Sequence, residues 1–408
     1  RANRQQTLLG LFFLSIDNIK NFNDTFGHGV GDWVLQRVAQ VCQNTLRHSD
    51  TVARFGGNEF ILLVEDAHTV RSLEELMLKL VQRLCDQPAE VEGRLLTISV
   101  RMGGVIYPFL EEDALLLQTA DIAMHHATRE GGNRFAFYDH AMGQAFSRRT
   151  LVEHALDTAL RLGEFQLLVQ PKLWLANGQV LEVEALLRMH SSELGPVSPG
   201  EFIPLAEASG QILAIGEWVL REACAMASRW QKQASPMPAI AVNVSAKQIQ
   251  QQGFVELVSH ILQEYGIGKH QLAIEVTESA VMGAISQSAP VLYHLKRLGM
   301  SIAVDDFGTG HSSLAYLKQL PIDTLKIDRS FIKDLPGNRH DVAIVEAILA
   351  MAGHLELKTV AEGVETLEQQ EFLHSCGCQE IQGFYFARPM TEESFLQFLA
   401  DHDCAVKK

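Results

Sequence analysis

From Phe165 onward the sequence alternates between short apolar segments, typical of strands, and amphipathic segments, typical of helices. Such alternation predicts an α/β fold with a parallel sheet covered by helices. Eight repeats over about 240 residues match the size of a single (β/α)8 barrel, that is, a TIM-like barrel. Helical patterns fill the gaps, and the longest runs from Pro204 to Gln231. The eight predicted strands are Phe165–Gln170, Val180–Leu187, Ala239–Val244, Leu272–Val276, Ser301–Asp305, Thr324–Ile327, Thr359–Ala361 and Glu380–Phe384.

Polar side chains fall near the carboxyl ends of nearly all of these strands. In a barrel of parallel strands those ends meet at one mouth, which is where active sites are built. One polar residue after a strand is an ordinary turn or helix cap, but a long succession of them is not explained by capping. The residues are Gln170, Glu184, Asn243, Glu275, Glu278, Asp305, Asp306, Lys326, Glu362 and Gln382.

Asp305 and Asp306 are adjacent carboxylates at the end of one predicted strand. Because neighbouring carboxylates repel each other, a shared divalent cation explains the pair, whereas the alternative, a helix N-cap, needs only one Asp. Oxygen ligands without Cys or His favour Mg²⁺ or Mn²⁺ over Zn²⁺. Lys326, the lysine among the acids, suits a developing oxyanion or a water that must be oriented. The set predicts phosphodiester hydrolysis assisted by two metal ions.

The composition limits the partners and the location of the chain. A formal net charge of -15 argues against direct nucleic-acid binding and against anionic membranes. The six cysteines include no C-x-x-C pair, which favours a reducing compartment. No apolar run is long enough to span a membrane, so we expect a cytoplasmic location for this fragment. Because the chain begins with Arg1 rather than Met, we interpret it as part of a longer protein, with room for a membrane anchor upstream.

The first part of the chain predicts a separate, compact α/β domain. We therefore divide the chain into a first domain at residues 1–141, a connecting helix at 142–163 and a barrel domain at 164–408. The elements predicted in the first domain are a strand at Leu8–Ile16, a helix at Val30–Leu46, two strands around a Gly-Gly turn within Arg54–Val64, a helix at Ser72–Cys85, a strand at Leu95–Tyr107 and a helix at Ala114–Arg129.

Two motifs of the first domain carry a family resemblance. Phe22-Asn23-Asp24-Thr25-Phe26-Gly27-His28 is followed by Arg54-Phe55-Gly56-Gly57-Asn58-Glu59-Phe60. With these motifs, residues 7–138 resemble a GGDEF domain. The resemblance implies a nucleotide-cyclase-like fold, and members of the family with intact sites condense two GTP molecules into cyclic di-GMP.

The resemblance breaks down where the family does its chemistry. Ser15 and Asn58 stand where the family has metal-binding carboxylates, and neutral side chains hold a magnesium–triphosphate far less well. Thr128 and Gly132 replace a phosphate-binding Lys and a nearby Arg. We therefore expect no cyclase activity from this domain.

Other positions of the GGDEF pattern are retained. Asn23 and Asp32 match the family's guanine contacts, and Arg47 and Asp50 match its inhibitory R-x-x-D site. The alternative for the second pair is an exposed ion pair at a helix end, which contributes little energy. We therefore hypothesise that the first domain modulates the second by binding GTP or cyclic di-GMP.

The polar residues of the barrel carry a second resemblance, to the EAL domain, over residues 150–402. It implies hydrolysis of cyclic di-GMP to linear pGpG on a barrel, and a homodimer formed through this domain near the loop Phe307–Ser313. The motifs are Gln170-Pro171-Lys172, Glu184-Ala185-Leu186-Leu187-Arg188, Asn243-Val244-Ser245, Glu275-Val276-Thr277-Glu278, Asp305-Asp306-Phe307-Gly308-Thr309-Gly310, Leu325-Lys326-Ile327-Asp328, Ala361-Glu362-Gly363-Val364-Glu365 and Gln382-Gly383.

The same resemblance implies a role for each matching residue, and none of these positions departs from the family. Lys326 would position the attacking water, Glu362 would act as base or at the metal-bound water, and Glu278 would anchor the loop after Phe307. The implied metal ligands are Glu184, Asn243, Glu275, Asp305, Asp306 and Glu362. The implied substrate contacts are Gln170, Leu187, Arg188, Asn243, Asp306 and Gln382.

Three functions remain to be weighed. The first is an active phosphodiesterase with an inactive, regulatory cyclase domain. The second is a cyclic di-GMP receptor with little or no turnover; receptors of this family typically lose metal ligands, and this chain keeps them. The third, an active cyclase, is opposed by Ser15 and Asn58.

Overall fold

A computed structural model describes residues 7–85, 89–91, 94–96, 98–107, 115–127, 135–232, 237–282, 285–308, 317 and 320–406. The chain forms two compact units, Arg1–Thr150 and Leu151–Lys408. Thr128 and Gly132, two of the departures from the GGDEF pattern, lie outside the described residues, as do residues 309–313 of the loop that Glu278 is predicted to anchor.

The first unit is built on a five-stranded sheet with the order β2-β3-β1-β6-β7, and β4 and β5 form a separate hairpin. The predicted strand at Leu8–Ile16 is confirmed as the central strand. The strands are β1 (Leu8–Ile16), β2 (Thr51–Gly56), β3 (Glu59–Ala67), β4 (Ala89–Val91), β5 (Arg94–Leu96), β6 (Val100–Tyr107) and β7 (Phe135–Phe137). The helices are α1 (Ile19–Phe26), α2 (His28–Thr45), α3 (Val70–Cys85) and α4 (Leu116–His126).

Strand β1 is buried on both faces, which explains its continuous apolar run. Successive side chains of a strand point to opposite faces. Phe12 and Leu14 accordingly pack in the cluster that includes Val34 of α2 and Met77 of α3, whereas Phe13 packs in a second cluster with Met124 of α4. The helices therefore cover both faces of the sheet.

A long helix, α5 (His140–Leu162), runs through Thr150 and Leu151, where the two units divide. Residues 142–162 of the segment predicted as a connecting helix thus lie within α5, and Gly163 lies just beyond its end. No helix among the described residues is long and apolar enough to cross a membrane.

The second unit is an eight-stranded closed barrel, as predicted. Its strand order is β9-β11-β12-β13-β14-β15-β16-β8, and the pairing of β8 with β9 closes it. The short strand β10 pairs antiparallel with the end of β9. The strands are β8 (Phe165–Trp174), β9 (Val180–Ser191), β10 (Gly195–Val197), β11 (Ala239–Asn243), β12 (Leu272–Thr277), β13 (Ser301–Phe307), β14 (Thr324–Ile327), β15 (Lys358–Glu362) and β16 (Glu380–Gln382). The helices are α6 (Pro199–Ser209), α7 (Ile212–Trp230), α8 (Ala246–Gln250), α9 (Phe254–Tyr265), α10 (Glu278–Met282), α11 (Ile285–Arg297), α12 (Arg329–Ile332), α13 (Arg339–His354), α14 (Leu367–Ser375) and α15 (Glu392–Val406).

The barrel differs from a regular (β/α)8 barrel at its first strand. Strand β8 is antiparallel to both of its neighbours, β9 and β16. The prediction of a helix between the first two strands is wrong, because β9 follows β8 directly. A tight turn replaces it: Gly178 has a φ of 71° and donates its N–H to the carbonyl oxygen of Trp174 at 2.8 Å. The preceding Asn177 makes this an Asn-Gly pair, which is the strongest short signal for a hairpin.

The single helix predicted at Pro204–Gln231 is also wrong, because two helices occupy this region. Helix α6 ends at Ser209 and is followed by the cap residue Gly210, whose φ of 85° is a left-handed conformation that other residues rarely adopt; α7 begins at Ile212. Ile215 and Val219 of α7 are buried in the large apolar cluster that surrounds the barrel strands.

Candidate active site at the mouth of the barrel

The pairing of the strands places the predicted polar residues side by side. Asn243 lies opposite Glu275, and Glu362 lies opposite Gln382 in parallel pairs. These strands end at the same edge because they are parallel, as the sequence predicted.

Gln170 lies at the site because of antiparallel rather than parallel strand pairing. Its predicted place at the carboxyl end of a parallel strand is wrong, because β8 continues to Trp174 and is antiparallel. The antiparallel register nevertheless sets Gln170 opposite Glu184.

Lys326 lies at the centre of the site and is completely buried. Burial alone would lower the pKa of its ammonium group, but the surrounding carboxylates outweigh burial and raise the pKa well above its usual value. The side chain is therefore a fixed positive charge. Its Nζ atom lies 2.6 Å from Glu275 Oε2, 3.1 Å from Asp305 Oδ2, 3.4 Å from Glu184 Oε2 and 2.5 Å from Glu362 Oε1.

Glu275 is held by two ammonium groups, one on each oxygen. Lys172 Nζ lies 2.5 Å from its Oε1 atom, and Lys326 Nζ lies 2.6 Å from its Oε2 atom. Burial would raise the pKa of this carboxyl, but the two lysines outweigh burial and lower the pKa to about 2. Lys172 was not among the predicted site residues. In the sequence it closes the Gln170-Pro171-Lys172 motif and is a lysine inside a strand whose neighbours are otherwise mostly apolar, and neither feature indicates a role at the site.

Amide side chains orient the carboxylate of Glu184. Asn243 Nδ2 donates to Oε1 at 2.6 Å, and Gln382 Nε2 donates to Oε2 at 2.7 Å and to Gln170 Oε1 at 3.1 Å. Gln382 Oε1 is buried and has no hydrogen-bond partner in the described part of the chain. Because a buried polar atom normally has a partner, this oxygen is available to a donor that enters the site.

Two acidic groups are able to hold metal ions. Ligand atoms of Glu184, Glu275 and Asp305 lie within 4.8 Å of one another, and so do those of Asp305, Asp306 and Glu362. Asp305 belongs to both groups. Burial is the largest cause of raised pKa values at Glu184, Asp306 and Glu362, the last to about 8. Hard oxygen donors in excess of the available ammonium groups fit divalent cations.

The backbone after Val304 brings both adjacent aspartates into the second group. Successive strand residues normally point to opposite faces. Here the pairing of β13 with β14 is irregular between Val304 and Phe307, and Asp306 has a φ of 54°. The Asp306 N–H also donates to Asp305 Oδ1 at 2.9 Å. This bend explains how neighbouring carboxylates share one site.

Glu278 contacts the beginning of the loop that it was predicted to anchor. Its buried carboxylate accepts the N–H of Gly308 through Oε2 at 2.9 Å. Gly308 has a φ of 100°, in the left-handed region that favours glycine. The contact fixes the chain just beyond the Asp305–Asp306 pair.

Two cavities border these residues. A cavity of about 530 Å³ is lined by Leu187, Arg188, Asn243 and Glu275, and Arg188 Nη1 donates to the carbonyl oxygen of Leu187 at 2.9 Å. A second cavity of about 260 Å³ exposes the acids more directly; its lining includes Gln170, Glu184, Asp305, Glu362 and Gln382. All of the predicted metal and substrate residues therefore lie in one cluster or along these two cavities.

In the first unit the two neutral replacements contact each other. Asn58 Nδ2 donates to Ser15 Oγ at 3.2 Å and to the carbonyl oxygen of Ile16 at 2.6 Å. Asn23 Oδ1 is buried without a hydrogen-bond partner among the described residues, and Asp32 is exposed.

The R-x-x-D segment of the first unit forms a tight turn. Asp50 accepts the N–H of Arg47 at 2.8 Å and the N–H of Glu65 at 3.2 Å, and Arg47 is exposed. These contacts give Asp50 a local structural role.

The fold and the site define an acid-lined EAL barrel preceded by a GGDEF domain. Residues 153–389 match the EAL domain and residues 1–134 match the diguanylate cyclase GGDEF domain. The chain belongs to the EAL family and is a tandem GGDEF–EAL protein.

Two relatives of the chain are proteins of Pseudomonas aeruginosa. The chain is 41% identical over 401 residues to the bifunctional diguanylate cyclase/cyclic di-GMP phosphodiesterase MucR, covering 98% of this chain and 58% of that protein. It is 39% identical over 394 residues to the cyclic di-GMP phosphodiesterase NbdA, covering 96% of this chain and 50% of that protein. The chain thus spans only about half of these relatives' length.

Solved structures also resemble the barrel. The PaMucR phosphodiesterase in complex with c-di-GMP is 46% identical, with a TM-score of 0.58, covering 60% of this chain and 99% of that one. The EAL domain of Mycobacterium smegmatis DcpA is 38% identical, with a TM-score of 0.50, covering 59% of this chain and 97% of that one.

Proposed function

We propose that the barrel is a metal-dependent phosphodiesterase that hydrolyses cyclic di-GMP to linear pGpG. The observation that carries the proposal is the full set of carboxylates gathered around the buried Lys326. The similarity to the PaMucR phosphodiesterase, solved with c-di-GMP, supports the choice of substrate.

The cations are proposed to be two Mg²⁺ or Mn²⁺ ions. Glu184, Asn243, Glu275 and Asp305 would hold one, and Asp305, Asp306 and Glu362 would hold the other, in keeping with the two acidic groups. Bound cations of this kind polarise a phosphoryl oxygen and lower the pKa of a coordinated water.

The side chains of the site would carry out the remaining tasks. Lys326 orients the attacking water, and Glu362 accepts a proton from it. The water oxygen bonds to phosphorus, the bond between phosphorus and O3′ breaks, and O3′ takes up a proton. Arg188 suits a phosphate of the substrate because its planar group can bond two oxygens at once. Leu187, Gln170 and Gln382 would complete the contacts to substrate.

The second candidate for the barrel is a cyclic di-GMP receptor with little turnover. Incubating the pure protein with cyclic di-GMP and Mg²⁺ and separating the products by chromatography distinguishes the two. Accumulation of pGpG supports the phosphodiesterase, whereas binding without any product favours the receptor.

The first domain is proposed to be an inactive cyclase with a regulatory nucleotide site. The hydrogen bond between Asn58 and Ser15 supports inactivity, because both side chains are neutral and already occupied with each other or with backbone. The unpartnered oxygen of Asn23 supports a site for GTP or cyclic di-GMP, with Asp32, Arg47 and Asp50 as further candidates. A nucleotide bound to the first domain changes the rate of hydrolysis only if it binds one conformation of the protein more tightly than another. The size of the change is limited by that difference in affinity.

The protein is further proposed to act as a homodimer through the barrel domain. The proposal rests on the family resemblance of the loop that follows Phe307. Sedimentation of the protein at the concentration used for activity tests it, since a fully active monomer would exclude the dimer as a requirement.

A further inference from the structure

Lys172 is buried at a position where an apolar side chain would serve the fold. Its side chain is completely buried, between the buried neighbours Pro171 and Leu173 on β8. Removing an ammonium group from water is costly, and a buried ion pair is weak evidence for a gain in stability. A reason other than packing is therefore needed for this lysine.

The contacts of Lys172 suggest that reason. Its Nζ atom lies 2.5 Å from Glu275 Oε1 and 2.5 Å from Glu182 Oε1. Glu182 lies directly opposite Lys172 in the pairing of β8 with β9, so the pairing of the two strands places the Glu182 carboxylate next to the lysine. The lysine in turn holds one oxygen of Glu275, while the other oxygen lies 2.6 Å from Lys326 Nζ.

We propose that Lys172 is a positioning residue that fixes the carboxylate of Glu275 and thereby sets the affinity of the barrel for its catalytic cations. The inference rests on the proposed phosphodiesterase, in which Glu275 is a metal ligand. Partners of this kind, one contact away from the ligand, typically change metal affinity or activity by about 10–100-fold when removed.

Charge alone makes the opposite prediction, which allows a decisive test. Lys172→Met removes a positive charge next to the acids, so electrostatics alone strengthens cation binding. If orientation is what matters, the same change weakens binding. Glu182→Gln removes one negative charge but leaves the contact between Lys172 and Glu275. The double variant, Lys172→Met with Glu182→Gln, removes both charges and therefore leaves the net charge of the protein unchanged.

The experiment is a titration of the full chain with Mn²⁺ alone, after treatment with EDTA and its removal. The concentration of free Mn²⁺ is measured from its electron paramagnetic resonance signal. Orientation predicts that Lys172→Met and the double variant both bind Mn²⁺ about 10–100-fold more weakly, while Glu182→Gln stays near the wild type. Tighter binding by Lys172→Met, or wild-type binding by the double variant, would overturn the inference.

Two controls keep the result interpretable. Circular dichroism and the thermal midpoint show whether each variant folds, and a merely structural role would lower the midpoint without changing the dissociation constant of the folded protein. If Lys172→Met does not fold, the charge-balanced double variant decides. Hydrolysis is measured on the same samples: a wild type that binds Mn²⁺ tightly but forms no pGpG contradicts the proposed function alone, and a wild type that binds no Mn²⁺ contradicts both.

Discussion

Asn58 Nδ2 donates a hydrogen bond to Ser15 Oγ across 3.2 Å in the first unit. The same amide nitrogen also donates to the carbonyl oxygen of Ile16 at 2.6 Å. Two neutral side chains are thus tied to each other at the positions where the GGDEF pattern has carboxylates. The arrangement leaves a magnesium–triphosphate without acidic ligands from these two residues.

We therefore predict that the wild-type chain forms no cyclic di-GMP from GTP and Mg²⁺, as measured by chromatography of the products. The assay must include a variant in which barrel hydrolysis is removed, Glu362→Gln, so that any product would accumulate. Cyclic di-GMP appearing in that variant would contradict the prediction.

The nucleotide hypothesis predicts that GTP changes the rate of cyclic di-GMP hydrolysis by the full chain. Coupling between sites is typically about 5–150-fold. Asn23→Ala should abolish the effect, because Asn23 Oδ1 is the buried acceptor left without a partner among the described residues. Asn44→Ala, at an exposed position of α2, is the matched control and should respond to GTP like the wild type. Initial rates with and without GTP that do not differ would remove the hypothesis.

Glu278 should matter for activity through Gly308. Glu278→Ala leaves the half-buried Gly308 N–H without its acceptor, and a hydrogen bond to a charged group contributes about 1.5–3 kcal/mol. Because the loop begins directly after the two aspartates, we expect hydrolysis to fall by about 10–100-fold. Glu278→Gln keeps an acceptor oxygen and should retain most of the activity. Equal rates for the two variants would show that this hydrogen bond does not control the site.

The pH dependence of stability should report the buried Glu380. Burial is the largest cause that raises its pKa to about 7, against about 4.3 for a glutamate in an unfolded chain. The folded protein therefore holds a proton that the unfolded chain has lost between these pH values. Its contribution to stability is greatest at low pH and declines as the pH rises toward about 7.

Glu380→Gln cannot lose a proton, so its free energy of unfolding should fall less than that of the wild type between pH 5 and pH 8. Urea unfolding in EDTA at several pH values measures the difference, with the exposed Glu193→Gln as a matched control. If the free energy of unfolding changes with pH equally in Glu380→Gln and in the wild type, the raised pKa assigned to Glu380 is contradicted.

The barrel and most of its site were predictable because the relevant pattern is local. Apolar segments such as Ile302–Val304 mark strands, and parallel strands end at one edge, so Asn243 and Glu275 could be expected to meet. The direction of β8 was not predictable from its apolar run, since burial on both faces is independent of strand direction. The Asn177-Gly178 pair carried that information, and it indicates a hairpin.

The role of Lys172 could not be read from sequence. Its contact with Glu275 joins residues 103 positions apart, and only the closed order of the strands brings them together. The left-handed backbone conformation of Asp306 could not be predicted from the sequence either, because an Asp-Asp pair is compatible with a helix cap as well as with a bend. Both features depend on the three-dimensional register rather than on local propensity.

The most direct test of the account is the rate of pGpG formation from cyclic di-GMP in Mg²⁺ by the wild type and by Asp305→Asn. Asp305 belongs to both acidic groups, so losing its charge weakens ligation in both. We expect the variant to be slower by at least ~10²–10⁴-fold, and excess EDTA to abolish wild-type activity. Asp401→Asn, on an exposed face of α15, is the matched control and should act like the wild type. Hydrolysis by Asp305→Asn at the wild-type rate, or full wild-type activity in excess EDTA, would contradict the account.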